Sequence, residues 1–177
     1  MYSKILENDI LKLRAIQTDD IDLIHRWENE TSNWFVSQHI TPFSRELIQN
    51  YVGNSDMDIY SVKQLRLMID LQLDPGNTIG MVDLFEFDPQ NRRAGVGLLI
   101  DKDYRYKGYG KAVLEILKAY AFRLLNLHQL YCSIDENNTA SLSLFQKMGF
   151  EIIGKKTDWL RTPDGWHNEF LLQCILE

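Results

Sequence analysis

The chain has 177 residues, 45% of them hydrophobic and 25% charged, with a formal net charge of −6. That length suits one domain spanning residues 1–177, large enough to bury a continuous core. The acidic balance excludes nonspecific nucleic-acid binding, which needs clustered Lys and Arg to neutralise phosphates, and suits a cationic substrate instead.

No apolar run approaches the roughly 18 residues of a membrane span, so no membrane partner is expected. The opening "MYSKILENDI" lacks the continuous apolar region of a secretory signal, and Cys132 and Cys174 form no framework of spaced pairs. The expectation is a reduced, cytoplasmic location.

Taken in chain order, "ILKLRAI" (10–16) alternates like a strand, and Thr18-Asp19-Asp20 then supplies a cap and two acids for a first helix carrying Ile21, Ile24 and Trp27. A second helix is predicted from Pro42 or Ser44 to Val52, stopped by Gly53-Asn54. The period then changes from helical to alternating. "QLRLMIDLQL" (64–73), "NTIGMVDLFEF" (77–87) and "RAGVGLLI" (93–100) read as three strands, separated by the turn signals Asp74-Pro75-Gly76-Asn77 and Asp88-Pro89-Gln90-Asn91.

A long helix follows, beginning near Gly108 and running to Asn126, with Val113, Ile116, Leu117, Tyr120 and Leu124 on one face. "QLYCSI" (129–134) returns to strand composition. A shorter helix carries Ala140, Leu144, Phe145 and Met148 and stops at Gly149. Two final strands, 150–156 and 167–176, flank Pro163-Asp164-Gly165. The fold class is therefore mixed α/β: a largely antiparallel sheet of about seven strands flanked by four helices.

The most informative stretch is "RYKGYGK", Arg105 to Lys111, between the third meander strand and the long helix. The first turn of a helix has backbone N–H groups without intrahelical partners and the positive end of the helix dipole, and together these bind anions. Gly108 and Gly110 allow close approach of a diphosphate to the backbone, and Arg105, Lys107 and Lys111 add charge. The loop fits neither of two nucleotide motifs. Val113 occupies the third glycine position of a dinucleotide fingerprint, and Ala112 follows Lys111 where a Walker loop has Ser or Thr.

Arg105-x-x-Gly108-x-Gly110 after an apolar strand resembles the acyl-coenzyme A signature (Gln/Arg-x-x-Gly-x-Gly/Ala) of the GNAT superfamily of N-acetyltransferases. "NTASLSLFQKMGFE" (138–151) resembles that superfamily's second segment, Asn-x-x-Ala/Ser, a helix with an aromatic residue, then Gly-Phe opening a strand. The run from 80 to 110 looks most like the spermidine acetyltransferases and the ribosomal-protein N-terminal acetyltransferases.

The resemblance implies a twisted sheet, acetyl-CoA as cosubstrate without a metal, and a homodimer or higher homo-oligomer. It also implies site residues. Leu98, Leu99 and Ile100 would offer backbone to the pantetheine arm, and Arg105, Tyr106, Lys107, Gly108, Tyr109, Gly110 and Lys111 would hold the pyrophosphate. Asn138 would bond the coenzyme arm, with Phe145 on the same helix and Lys147 reaching the phosphates. The acceptor would be a small-molecule amine, best a polyamine such as spermidine, or a protein N-terminus. An aminoglycoside also stays open.

Transfer would be direct attack of a neutral amine on the acetyl carbonyl, with backbone N–H groups stabilising the oxyanion. Many family members place a tyrosine general acid where this chain has Phe145, which cannot donate a proton. Glu86 is the candidate base, with Asp83 behind it; a carboxylate there also suits cation binding. Glu28, Glu30, Trp34 and Phe35 are candidates to line a pocket for a cationic amine together with Asp83. His25, His39, His128 and His167 have no metal-ligand spacing. The rival class is a noncatalytic acyl-CoA-binding regulatory module, for which Phe145 is the main support.

Overall fold

Strand β1 (Leu11–Ala15) leads through a 3₁₀ turn at Thr18–Asp20 into α1 (Ile21–Glu28). Three more helices follow, α2 (Thr31–Ser37), α3 (Arg45–Gly53) and α4 (Ile59–Val62), then the meander β2 (Leu65–Leu71), β3 (Thr78–Asp88) and β4 (Arg93–Ile100). The chain closes with α5 (Tyr109–Arg123), β5 (Gln129–Asp135), α6 (Thr139–Lys147) and the hairpin β6 (Glu151–Thr162) and β7 (Gly165–Ile175). The computed structural model describes residues 4–37, 41–54 and 58–177, with the side chains of 35–37 outside that description.

All seven expected strands form one sheet, ordered β1-β2-β3-β4-β5-β7-β6. Six α-helices, not four, are present among the described residues. The two extra ones, α2 and α4, are short and carry no apolar period long enough to read from sequence.

Strand alternation sorts the core into two layers. Leu67, Ile69, Val82, Leu84, Ala94 and Val96 face one side, against Val113, Leu114 and Leu117 of α5 and Phe145 of α6. Met68 and Met81 face the other, against Ile24 and Trp27 of α1 and Ile48 and Val52 of α3.

Every strand pair is antiparallel except β4 with β5. That parallel pair requires a crossover, and α5 is the crossover. Its pairing covers only Arg93–Gly95 against Gln129–Tyr131. Beyond it, β4 pairs with β3 as far as Ile100, and β5 pairs with β7 as far as Asp135. The sheet is thus split past Gly95.

Alternation breaks once in β3. Phe85 pairs with Gly95 and Asp88 with Arg93, so Glu86 and Phe87 together oppose Ala94. A β-bulge of this kind inserts one residue and resets which face follows. Phe87 consequently enters the core at 2% exposure, while Glu86, at φ 48°, stays outside it.

The last hairpin is longer than expected. The stretch "TDWLRT" joins β6 because register shifts at Ile152/Gly154 and Lys156/Leu160 break the alternation a sequence pattern relies on. Trp159 and Trp166 are exposed there rather than marking a buried face.

Gly80 lies where β3 and β4 approach most closely: a Cβ there would sit 2.2 Å from the Leu99 carbonyl oxygen, a backbone atom that cannot swing aside. Gly80→Ala should therefore destabilise the fold by about 2 kcal/mol and lower the melting temperature by about 4–8 °C in a thermal unfolding scan. Gly53→Ala, with open space around the new methyl, should leave the melting temperature close to the parent.

Candidate active site

The split between β4 and β5 opens beside the start of α5. Asp101 follows β4, accepts from the Asp103 backbone N–H at 3.2 Å, and caps a 3₁₀ turn over Lys102–Tyr104. Asn77 of the β2–β3 turn donates its Nδ2 to the Tyr104 hydroxyl at 2.9 Å, and Lys107 Nζ donates to the Asp103 carbonyl at 2.8 Å while lying 5.1 Å over the Tyr104 ring. These contacts fix the loop from one side. Its outer side is open, with Tyr106 93% exposed at φ 60°.

Gly108 is the N-cap of α5 at φ 83°, a conformation that suits glycine, and it brings no side chain to cap the helix. The first-turn amides of α5 are therefore not taken by a side-chain cap, and the helix's positive end faces the loop. Gly110 has a different reason to be glycine. A Cβ there would meet Leu144 of α6 at 2.8 Å, so it serves the packing of α6 on α5.

The loop cations divide in the same way. Arg105 folds back, donating from Nε to the Ile100 carbonyl at 2.9 Å and from Nη2 to Asn33 Oδ1 at 3.3 Å. Lys111 lies on the exposed helix surface, 3.7 Å from Glu115.

One wall of the split is the end of β4. Leu98 and Ile100 pack toward α5, and Leu99 packs toward α1. The other side is β5 and α6, whose N-cap Asn138 accepts the Ser141 amide at 3.2 Å. Phe145 is 5% exposed and packs edge-on against Phe150, ring centroids 5.0 Å apart. Lys147 is exposed in the last turn of α6.

The face toward α1 and α3 carries the ionisable groups. Arg66 of β2 donates from Nε and Nη2 to both oxygens of Asp83, at 2.6 and 2.9 Å, and from Nη1 to Glu28 at 2.6 Å. It also lies 5.4 Å over the Tyr51 ring. Burial opposes the Arg66 charge, but the carboxylate of Asp83 and, more weakly, that of Glu28 hold its pKa above the ordinary value. The two acids expected to meet an acceptor cation are thus bound to a cation of the protein.

Trp34 donates its Nε1 to the Glu28 carbonyl at 2.8 Å, fixing α2 on α1. Phe35 lies on α2, with its side chain outside the described residues, and His39 is outside them altogether. Glu30 accepts from Ser32 Oγ at 3.4 Å.

Glu86, the inserted residue of the β3 bulge, is exposed beside the last paired residues of β4 and β5. Its Oε2 accepts from the Tyr131 hydroxyl. The Tyr131 ring meets Phe85 edge-on across Gly95, where a Cβ would fall 2.3 Å from the Phe85 ring. A non-glycine residue at positive φ costs on the order of 1 kcal/mol, so the exposed acid is held in a strained backbone.

Asp101 ties the acceptor-side helices to the loop. Its carboxylate accepts from Trp27 Nε1 and Arg26 Nη2, each at 2.8 Å. Burial disfavours its charge, yet the bonds from Trp27, the Asp103 amide and Arg26 outweigh that and hold its pKa below the usual value.

The sequence matches a family model described as an acetyltransferase (GNAT) domain over residues 11–151. The chain belongs to this GNAT acetyltransferase family. It is an acetyl-CoA-dependent N-acetyltransferase.

Among relatives, it is 26% identical over 151 residues to the spermidine N(1)-acetyltransferase of Escherichia coli K12, covering 82% of this chain and 75% of that one. The Vibrio cholerae spermidine N(1)-acetyltransferase is 27% identical over 147 residues, covering 81% and 80%. A solved structure of spermidine N-acetyltransferase from Vibrio cholerae, in complex with CoA and spermine, superposes with a TM-score of 0.86 at 21% identity. The match covers 96% of this chain and 97% of that one. That likeness carries the fold.

The geometry brings Leu98 of the β4 end, Gly110 of the loop and Leu144 of α6 together at the start of α5, and sets Glu86 against Tyr131, the last β5 residue paired with β4. Sequence reasoning missed Arg66, Tyr131, Asn33 and Asp101. Arg66 had a visible signal: it is the one cation in the strand "LRLMIDL". Tyr131 had none, because its partner is set by a bulge.

Arg66→Gln should leave Glu28 and Asp83, 15% and 18% exposed, without their cation, and lower stability by about 3–5 kcal/mol in urea unfolding. Asp101 gives a pH test. A carboxyl whose folded pKa is depressed contributes stability above its unfolded pKa of about 3.9 and loses it as pH falls through the folded value. The stability gap between the parent and Asp101→Asn should therefore be largest near pH 6 and shrink toward pH 3.

Proposed function

We propose that this acetyltransferase acetylates a primary amine of a polyamine such as spermidine. The observation that carries the reading is the split of β4 from β5 at Gly95, with the uncapped start of α5 at its outer end and the exposed Glu86 carboxylate near its inner one. The relatives named as spermidine acetyltransferases support the acceptor class, as does the net charge of −6.

The fit to acetyl-CoA rests on the loop itself. A glycine N-cap without a side chain, in the left-handed region and with open space around it, leaves room for phosphate oxygens at the α5 amides. In this reading Tyr106, Lys107, Gly108, Tyr109, Gly110 and Lys111 hold the pyrophosphate, and Arg105 secures the loop to β4 and α2. The ends of β4 at Leu98, Leu99 and Ile100 present backbone to the pantetheine arm. Asn138 reaches the arm with its amide Nδ2, because its Oδ1 serves as the α6 cap. Lys147 is placed for the outer phosphates. Acetyl-CoA supplies the activated acyl group.

A polyamine arrives protonated at neutral pH, so its attacking nitrogen must first lose a proton. Glu86 is the exposed carboxylate in position to accept it. Glu28 and Asp83, shared with Arg66, keep one net negative charge and favour a second ammonium of the acceptor at longer range. Coenzyme A leaves as a thiolate. Phe145, buried on Phe150, takes no part in proton transfer.

Release of free thiol from acetyl-CoA, followed over a panel of spermidine, spermine, ribosomal-protein N-terminal peptides and an aminoglycoside, tests the reading. Turnover with polyamines should exceed that with the peptides, and Glu86→Gln should lower kcat by about 10²–10⁴-fold with the KM for acetyl-CoA little changed. Turnover confined to peptides would replace the acceptor. Tight acetyl-CoA binding with no turnover on any amine would favour a binding module.

A further inference from the structure

We propose that Tyr131 is a positioning residue for Glu86, fixing its carboxylate at the point where β4 and β5 part. The inference rests on the reading of Glu86 as the base and adds the residue that makes it one.

Three neighbouring strands build the arrangement. β3 contributes Phe85 and the bulged Glu86, β4 contributes Gly95, and β5 contributes Tyr131. Tyr131 is the last β5 residue paired with β4, so it lies where the pairing stops. Its ring and that of Phe85 meet edge-on with centroids 6.2 Å apart at 81°, over a residue that has no side chain. The hydroxyl is thereby delivered to Glu86 Oε2. An exposed glutamate on a bulge would otherwise sample several rotamers, and a proton acceptor must be held within hydrogen-bond reach of its substrate. With Oε2 occupied, Oε1 is left for the ammonium.

The direction of the hydrogen bond is fixed as well. Burial pushes the Tyr131 phenol up, and the Glu86 carboxylate pushes it further, so it remains a donor throughout the neutral range. Arg93 of β4 acts in the opposite direction and Asp88 of β3 in the same one, each more weakly. Gln173, the Tyr131 partner on β7, carries no charge.

Tyr131→Phe keeps the ring against Phe85 and removes only the donor. The Glu86 side-chain carboxylate resonance, followed at one fixed pH by carbon NMR of glutamate-labelled protein and assigned with Glu86→Gln, should move on this substitution because the carboxylate loses its phenol donor. That readout needs no turnover, so it stands or falls apart from the acetyl-transfer reading. An unmoved Glu86 resonance would overturn the proposal.

In turnover, Tyr131→Phe should lower kcat by about 10–100-fold and leave the KM for acetyl-CoA unchanged. In the Glu86→Gln background the same substitution should cost nothing further, as expected of residues acting as a unit. A full additional loss there would show that Tyr131 acts independently of Glu86 and would overturn the assignment.

Discussion

The parallel pairing of β4 with β5 lasts three residues, and the site depends on that brevity. A parallel neighbour cannot be reached by a tight turn, so the chain must leave β4, cross as α5, and return as β5. The crossover places the helix start beside the end of the strand it left. A split sheet and a bare helix terminus therefore occur at one place as a consequence of chain connectivity. Each half of the sheet keeps its own antiparallel partner, β3 on one side and β7 on the other, so the split does not unravel either half.

Opening a sheet has to be compensated by packing from below. The same α5 face that begins at the mouth runs under the sheet with Val113, Leu114 and Leu117 fully buried, and α6 closes the second half through Phe145 and Met148. Gly110 lets α6 approach the first turn of α5, since a side chain there would meet Leu144. One glycine thus serves conformation at the N-cap and the next serves contact between helices. On the opposite face the helices rest on a second apolar layer, Met68 and Met81 against Ile24, Trp27, Ile48 and Val52, and are held by ions as well: Arg66 joins β2, β3 and α1, and Asp101 joins α1 to the loop after β4. Such paired buried charges add little net stability, but removing one partner strands the other, so they fix where α1 stands.

Strand number and the helix faces of α1, α3, α5 and α6 were legible in the sequence because alternation and the 3.6-residue period are local. The Arg105–Lys111 loop was legible because its glycines sit between two such periods. What escaped depended on register. Glu86 was singled out from its place near a strand end, but its exposure comes from the bulge that exchanges it with Phe87. No local pattern announces an inserted residue. Glu28 and Asp83 read as free acids because Arg66 is 38 residues from one and 17 from the other, and only the folded sheet brings them within 2.6 Å. Gly110 read as room for a ligand, because the residue that needs the space, Leu144, comes from a later helix.

The replacement at Phe145 takes on a different weight once its surroundings are known. At 5% exposure and stacked edge-on against Phe150, the ring is part of the packing of α6 against the strand that follows. A hydroxyl added there would need a partner or a path outward, since an unpaired buried hydroxyl costs about 1–3 kcal/mol. The phenol nearest the parting strands is instead Tyr131 on β5, already committed to Glu86. In the proposed mechanism the protonation chemistry is therefore concentrated on the acceptor side of the sheet, where the amine gives up its proton to Glu86. On the coenzyme side the same mechanism leaves protonation of the departing thiolate to solvent.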